Sequence, residues 1–122
     1  MAYERLARQL SDPSYESESL LNAVRTIVLA NPKQPLNVKA LAAKYGMSRT
    51  RFSHFFRERT GQTPARVVTQ TRIQEATRMM RQGTASLKEI AEVCGFANVN
   101  HFNQVFHRFQ YITPGAYRKL IS

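Results

Sequence analysis

The chain has 122 residues, enough for one domain or two very small subdomains, and its 43% hydrophobic and 21% charged residues are a globular balance. A single cysteine cannot make an internal disulfide, no Cys/His set has zinc spacing, no apolar run reaches bilayer length, and the N-terminus lacks the layout of a secretory signal. Eighteen Lys and Arg against eight Asp and Glu leave a formal charge of +10, so the natural partner is a polyanion, either nucleic acid or an anionic membrane surface.

The charge is unevenly spread. Residues 1–18 carry two basic and four acidic side chains, residues 19–74 carry ten basic and only Glu58 acidic, and residues 75–122 carry six basic and three acidic. The front therefore reads as a tether or N-terminal arm, broken at Asp12-Pro13, and the rest as the functional part.

Taken in chain order, the elements all read as helices. A first helix is expected from about Ser17, with Leu20, Leu21, Val24, Ile27 and Val28 as its apolar stripe and Asn31-Pro32 as its end. Asn37 suits an N-cap, and Leu36 with Leu41 suits a hydrophobic staple, for a short helix carrying Val38, Leu41 and Ala42 inward and stopping at Gly46. Ser48 caps the next, which bears Phe52, Phe55 and Phe56 inward and ends at Gly61. Thr63-Pro64 opens a long helix to about Gln82, with Ile73, Ala76 and Met80 inward and Gly83 closing it. Ser86 and Glu89 make a capping box for a short helix with Leu87, Ile90 and Ala91, ended by Gly95. Asn98 caps a helix with Phe102, Val105 and Phe106, and Thr113-Pro114 starts a last one containing Tyr117 and Leu120.

An internal repeat organises these seven helices. With residues 37–47 laid over 86–96, Lys39 falls on Lys88, Ala42 on Ala91 and Gly46 on Gly95. After a one-residue insertion Ser48 falls on Asn98, Phe52 on Phe102, Phe56 on Phe106, and Thr63-Pro64 on Thr113-Pro114. Each copy is a short helix, a glycine turn and a second helix, the helix-turn-helix pattern. Duplicated hairpins would serve packing alone, but a 56-residue stretch with one acid and a charge of +9 repels itself unless it has a partner. DNA binding is the better explanation.

The segments Leu41-Ala42 to Gly46, Ser48 to Phe56, Thr60-Gly61, and Arg72-Ile73 with Ala76 resemble the first motif of AraC/XylS-type bacterial transcription regulators. The run Ile90-Ala91, Gly95-Phe96, Asn98, Phe102, Phe106, Thr113-Pro114 and Tyr117-Arg118 closely resembles the signature half of that family. The likeness covers roughly residues 19–121. Tyr111 departs from it, since the family usually has glycine there, and this bears on the shape of the loop before Thr113; Cys94 falls where members vary.

The resemblance implies an all-α, bipartite DNA-binding domain over 19–122: a first helix-turn-helix unit at 19–62, a linking helix at 63–83 and a second unit at 84–122, each a homeodomain-like set of three helices. A linking helix over Pro64 to Gln82 would span about 28 Å at 1.5 Å per residue. Successive major-groove faces on one side of B-DNA lie about 34 Å apart, so one chain could address two adjacent groove segments of an asymmetric site.

Helix faces and the family alignment together nominate the base readers. Opposite the phenylalanines of the first recognition helix stand Thr50, Arg51, Ser53 and His54, with Arg57 beyond; in the second helix the equivalents are Asn100, His101, Asn103 and Gln104. Arginine suits guanine O6/N7, and Asn or Gln suits adenine N6/N7, so the second half should favour A·T-containing steps. Phosphate contacts are expected from Lys39, Arg49, Arg57, Lys88 and Arg108, and from backbone amides near Asn37 and Ser86. Charge falls from first unit to second, so the first should supply more of the salt-dependent affinity.

Two other functions compete. A DNA-binding appendage of an enzyme would need a catalytic constellation, and this sequence offers none. A non-specific binder would smear basic residues without matched polar readers, which the repeat argues against. Cys94 reads as a small buried hydrophobe rather than a nucleophile, Met79-Met80 as packing, and His54, His101 and His107 lack metal-ligand spacing. Arg72 is expected to project from the linking helix with no acid squarely facing it. No cofactor or metal is expected, and neither is membrane insertion. The family adds RNA polymerase as a further partner, activation as the outcome, and the bacterial cytoplasm, at the nucleoid, as the location. Since most members resemble two-domain regulators, an effector or dimerisation domain is expected ahead of this chain.

Overall fold

The computed structural model describes residues 13–122, and among the described residues the secondary structure is seven α-helices and no strand. The expected tether lies outside the described residues up to residue 12. Residues 13–18 are helical: α1 (Pro13–Ala30) starts earlier than the expected Ser17. Proline acts here as a starter rather than a break, because its missing N–H goes unused in a first turn.

The remaining helices begin where the local chemistry predicts. In α2 (Val38–Lys44) the Ala40 N–H donates to Asn37 Oδ1 at 2.9 Å. In α3 (Arg49–Thr60) the Arg51 N–H donates to Ser48 Oγ at 3.2 Å, and α4 (Pro64–Gln82) has the matching bond from Arg66 N–H to Thr63 Oγ1 at 3.2 Å. Ser86 accepts from Glu89 N–H at 3.1 Å at the head of α5 (Leu87–Val93), and Asn98 accepts from His101 N–H at 2.8 Å at the head of α6 (Val99–Gln110). Thr113 accepts from Ala116 N–H at 3.2 Å in front of α7 (Pro114–Ile121). Each cap satisfies a donor that the first helical turn leaves without a partner, a contribution of about 1 kcal/mol apiece. The Ser86 box is a variant: the Glu89 carboxylate accepts from the Ser86 hydroxyl at 3.1 Å.

Among the described residues, 13–27 and 36–68 form one packing unit, and 28–35 with 69–122 form a second. In the first unit, Leu20 and Val24 of α1, Leu41 and Ala42 of α2, Phe52 and Phe56 of α3 and Val67 of α4 are buried. Phe52 is the centre of a ring series, 5.2 Å from Tyr45 and 5.8 Å from Phe56 between centroids. Three expected core positions differ, and of these Val38 is half-buried. Ile27 is 39% exposed, at the edge of the α1 stripe, and Phe55 is half-buried with the Arg59 guanidinium 5.2 Å above its ring. Both residues lie to the side of the buried face, where helical periodicity places an apolar side chain but neighbouring elements decide whether it is covered.

The second unit has a contiguous core that includes Ile73, Ala76, Met80, Ile90, Phe96, Phe102 and Phe106. Its rings run Phe96–Phe102 at 5.1 Å, Phe102–Phe106 at 5.6 Å and Phe106–Tyr117 at 5.8 Å. Full burial of each such ring contributes about 1.5–3 kcal/mol. Cys94 lies within this core with its Sγ 3.8 Å from Met79 Sδ, and desolvation pushes its thiol pKa up to about 11. No helix among the described residues is long and apolar enough to cross a membrane.

Candidate nucleic-acid interface

Each unit presents a twelve-residue helix seated on aromatic side chains, and this seating decides which residues face outward. In α3 the buried Phe52 and Phe56 define the inner side. At about 100° per residue the opposite side is made by Thr50, His54 and Arg57, with Arg51 next to them, and all four are exposed. Ser53 lies on the flank and is half-buried.

In α6 the buried Phe102, Val105 and Phe106 turn Asn100 and Gln104 outward, and both are exposed. His101 is exposed on the flank, with its ring 5.9 Å from that of Phe96, which itself is only 8% exposed. Asn103 stands apart from the expected readers. It is half-buried, and its Oδ1 is buried without a hydrogen-bond partner among the described residues. Bidentate pairing with adenine requires both ends of the amide, and in this orientation Asn103 offers at most one. Positions 53 and 103 are equivalent in the repeat, so the same helix angle tucks both against the body of their units.

His107 has no place among the expected readers. It is exposed on the outward face of α6, one turn beyond Gln104, at the repeat position equivalent to Arg57. The fifty-residue offset was the signal that could have found it.

The candidate phosphate residues Lys39, Arg49, Arg57, Lys88 and Arg108 are all exposed, and none forms an ion pair with a described residue. Four of the six described acids pair elsewhere, Glu18 with Arg25 at 3.0 Å, Glu16 with Arg59 at 3.7 Å, Glu92 with Lys33 at 3.9 Å, and Glu75 with Arg78, while Glu58 on α3 and Glu89 on α5 form no ion pair with a described residue. The Glu75 hydrogen bond and charge raise the Arg78 pKa. Near the readers basic side chains therefore outnumber acids, with Glu58 the one acid on α3. The first turn of α2 carries Lys39 and no acid, whereas that of α5 carries Lys88 beside Glu89, so the lower charge of the second unit persists locally. Among the described residues no three His, Cys, Asp or Glu side chains gather as a metal site.

Arg72 does not project freely. Its Nε donates to the Pro32 carbonyl at 2.9 Å, and desolvation lowers its pKa from the ordinary arginine value.

Two capped helices joined by a glycine turn, the second carrying an outward polar face, and that arrangement present twice, define a tandem helix-turn-helix protein. A family model described as a helix-turn-helix domain matches residues 41–120. The transcriptional activator RclR of Escherichia coli K12 is 37% identical over 101 residues, covering 83% of this chain and 36% of RclR. The DNA-binding domain of AdpA, solved in complex with a target DNA, superposes with a TM-score of 0.69 at 31% identity, covering 82% of this chain and 90% of that one. A regulator from Chromobacterium violaceum with an AraC-type DNA-binding domain superposes with a TM-score of 0.76 at 25% identity, covering 88% and 96%. The chain belongs to the AraC-type helix-turn-helix family. It spans about a third of the length of the curated relatives it matches.

Proposed function

We propose that this chain is the sequence-specific, double-stranded DNA-binding part of a bacterial transcription activator, and that α3 and α6 each read a major-groove segment of an asymmetric site. The reading rests chiefly on the two outward polar faces, Thr50, Arg51, His54 and Arg57 on α3 and Asn100, Gln104 and His107 on α6, with Lys39, Arg49, Lys88 and Arg108 forming no ion pair with a described residue. Arg51 would pair with guanine and Asn100 or Gln104 with adenine. Ser53 and His101 would contact bases from the flanks, and Asn103 would do so only through its amide nitrogen. Lys39, Arg49, Arg57, Lys88 and Arg108 would hold phosphates, which sets register without conveying sequence.

The reading assigns no catalysis, cofactor or metal to the chain. An effector or dimerisation domain elsewhere in the protein, contact with RNA polymerase and a nucleoid location in the cytoplasm belong to the same proposal.

Selection from a random double-stranded library at physiological salt tests it. Two short, dissimilar enriched blocks without two-fold symmetry are expected. Salt-sensitive binding with no enrichment would reduce the chain to a non-specific binder, and a single block would reduce one unit to a grip on the backbone.

A further inference from the structure

Residues 31–35 lie in sequence ahead of the first helix-turn-helix, yet they pack with the second unit. Pro32 is the centre of that contact. Its carbonyl accepts from Arg72 Nε at 2.9 Å across forty residues of sequence, and it is pressed against Gly95, the residue that turns the chain from α5 to α6. A Cβ built on Gly95 would stand 2.3 Å from the Pro32 oxygen and 3.1 Å from Arg72 Nε, and the backbone there has φ +91°. Only glycine meets both the conformation and the contact. Next to it, Lys33 pairs with Glu92 at 3.9 Å.

The contact leads to the reader. Gly95 is bonded to Phe96, whose N–H donates to the Ala91 carbonyl at 2.9 Å and whose ring packs on His101 and Phe102. Where the Pro32 carbonyl holds Gly95 decides where Phe96 lies, and Phe96 orients the exposed imidazole at the start of α6.

Resting on the DNA-reading function above, we propose that Arg72 is a positioning residue for the second reader. By clasping the Pro32 carbonyl against Gly95 it sets the pitch of the α5–α6 turn, and with it the aim of His101 and the first turn of α6, without touching DNA. Recognition geometry is sensitive to displacements of about 0.5 Å, so the loss of one such support is felt at the bases.

Library selection with wild type, Gln104→Ala and Arg72→Met tests the assignment. Gln104→Ala identifies which enriched block the second unit reads. Methionine keeps an apolar stem for packing but has no donor, and thermal unfolding verifies that the variant is folded. Expected is a loss of about tenfold in base discrimination within the second block, with the first block and the salt dependence unchanged. A salt slope shallower by about one, with both blocks intact, would make Arg72 a phosphate contact and overturn the proposal, as would an unchanged second block. If wild type selects no blocks, it is the DNA-reading function that fails. A measurement independent of any variant is hydrogen exchange at the Arg72 Nε–H of the wild-type chain. Exchange as slow as that of the second unit's core amides supports the clasp, and exchange as fast as that of a solvated arginine refutes it.

Discussion

Gly61 and Tyr111 close equivalent helices of the two units in the same way: at φ 76° and 62° each donates its N–H at 2.8 Å, to the carbonyls of Arg57 and His107 respectively. Glycine takes this left-handed conformation freely, whereas a residue with a side chain pays for its Cβ. Tyr111 is the one non-glycine at positive φ among the described residues, and it is 88% exposed, so little packing offsets the strain. The loop keeps the shape glycine would give it despite the departure from the family pattern.

Tyr111→Gly is therefore expected to stabilise the protein by about 1 kcal/mol, read as a higher urea midpoint at unchanged slope. A lower midpoint would show that the exposed ring contributes packing that outweighs its backbone strain.

The amide of Asn103 provides a second contrast. Its buried, unpaired oxygen costs about 1–3 kcal/mol. Asn103→Ala should leave stability equal or improved, with base preferences nearly intact. Asn100→Ala and Gln104→Ala should each cost about 1–3 kcal/mol of binding to the selected site and relax one base position. Fluorescence anisotropy with single-substituted sites separates the two behaviours, and equal losses for Asn103 and Asn100 would restore Asn103 as a full reader.

Lys39 and Arg51 differ in role rather than in charge. Lys39→Ala should weaken all sequences alike and lower the salt slope by about one, whereas Arg51→Ala should relax preference at one position. Titrations of a cognate and a scrambled duplex at several salt concentrations decide this. Indistinguishable behaviour would overturn the division between readers and phosphate contacts.

Burial raises the Cys94 thiol to about 11 from its ordinary value of 9.0. The unfolded chain releases this proton first, so the stabilisation is complete below pH 9 and is lost as pH rises towards about 11. Comparing wild type with Cys94→Ala by urea unfolding across that range should show a loss specific to wild type. At neutral pH the native thiol should resist alkylation until the protein unfolds.

Much of this molecule is legible locally. Asn37, Ser48, Ser86, Asn98 and Thr113 each cap an amide three residues ahead, a distance set by the helix itself, and the aromatic pairs Phe52/Phe56 and Phe102/Phe106 are spaced one turn apart. The repeat then fixes which faces are equivalent. Residues at the borders of those faces were less legible: Ile27, Phe55 and Asn103 have the right composition for their expected places, but their cover depends on what lies beside them.

The sequence by itself determined the helices of the described residues, their caps, the duplicated unit and the basic character of its surroundings, because these depend on contacts within four residues or on composition. Tertiary structure decided that Arg72 turns back to Pro32, that Gly95 must remain without a side chain to receive that carbonyl, and that one reader amide turns its oxygen inward. Those contacts join segments far apart in the chain, and no local period or propensity encodes which of them meet.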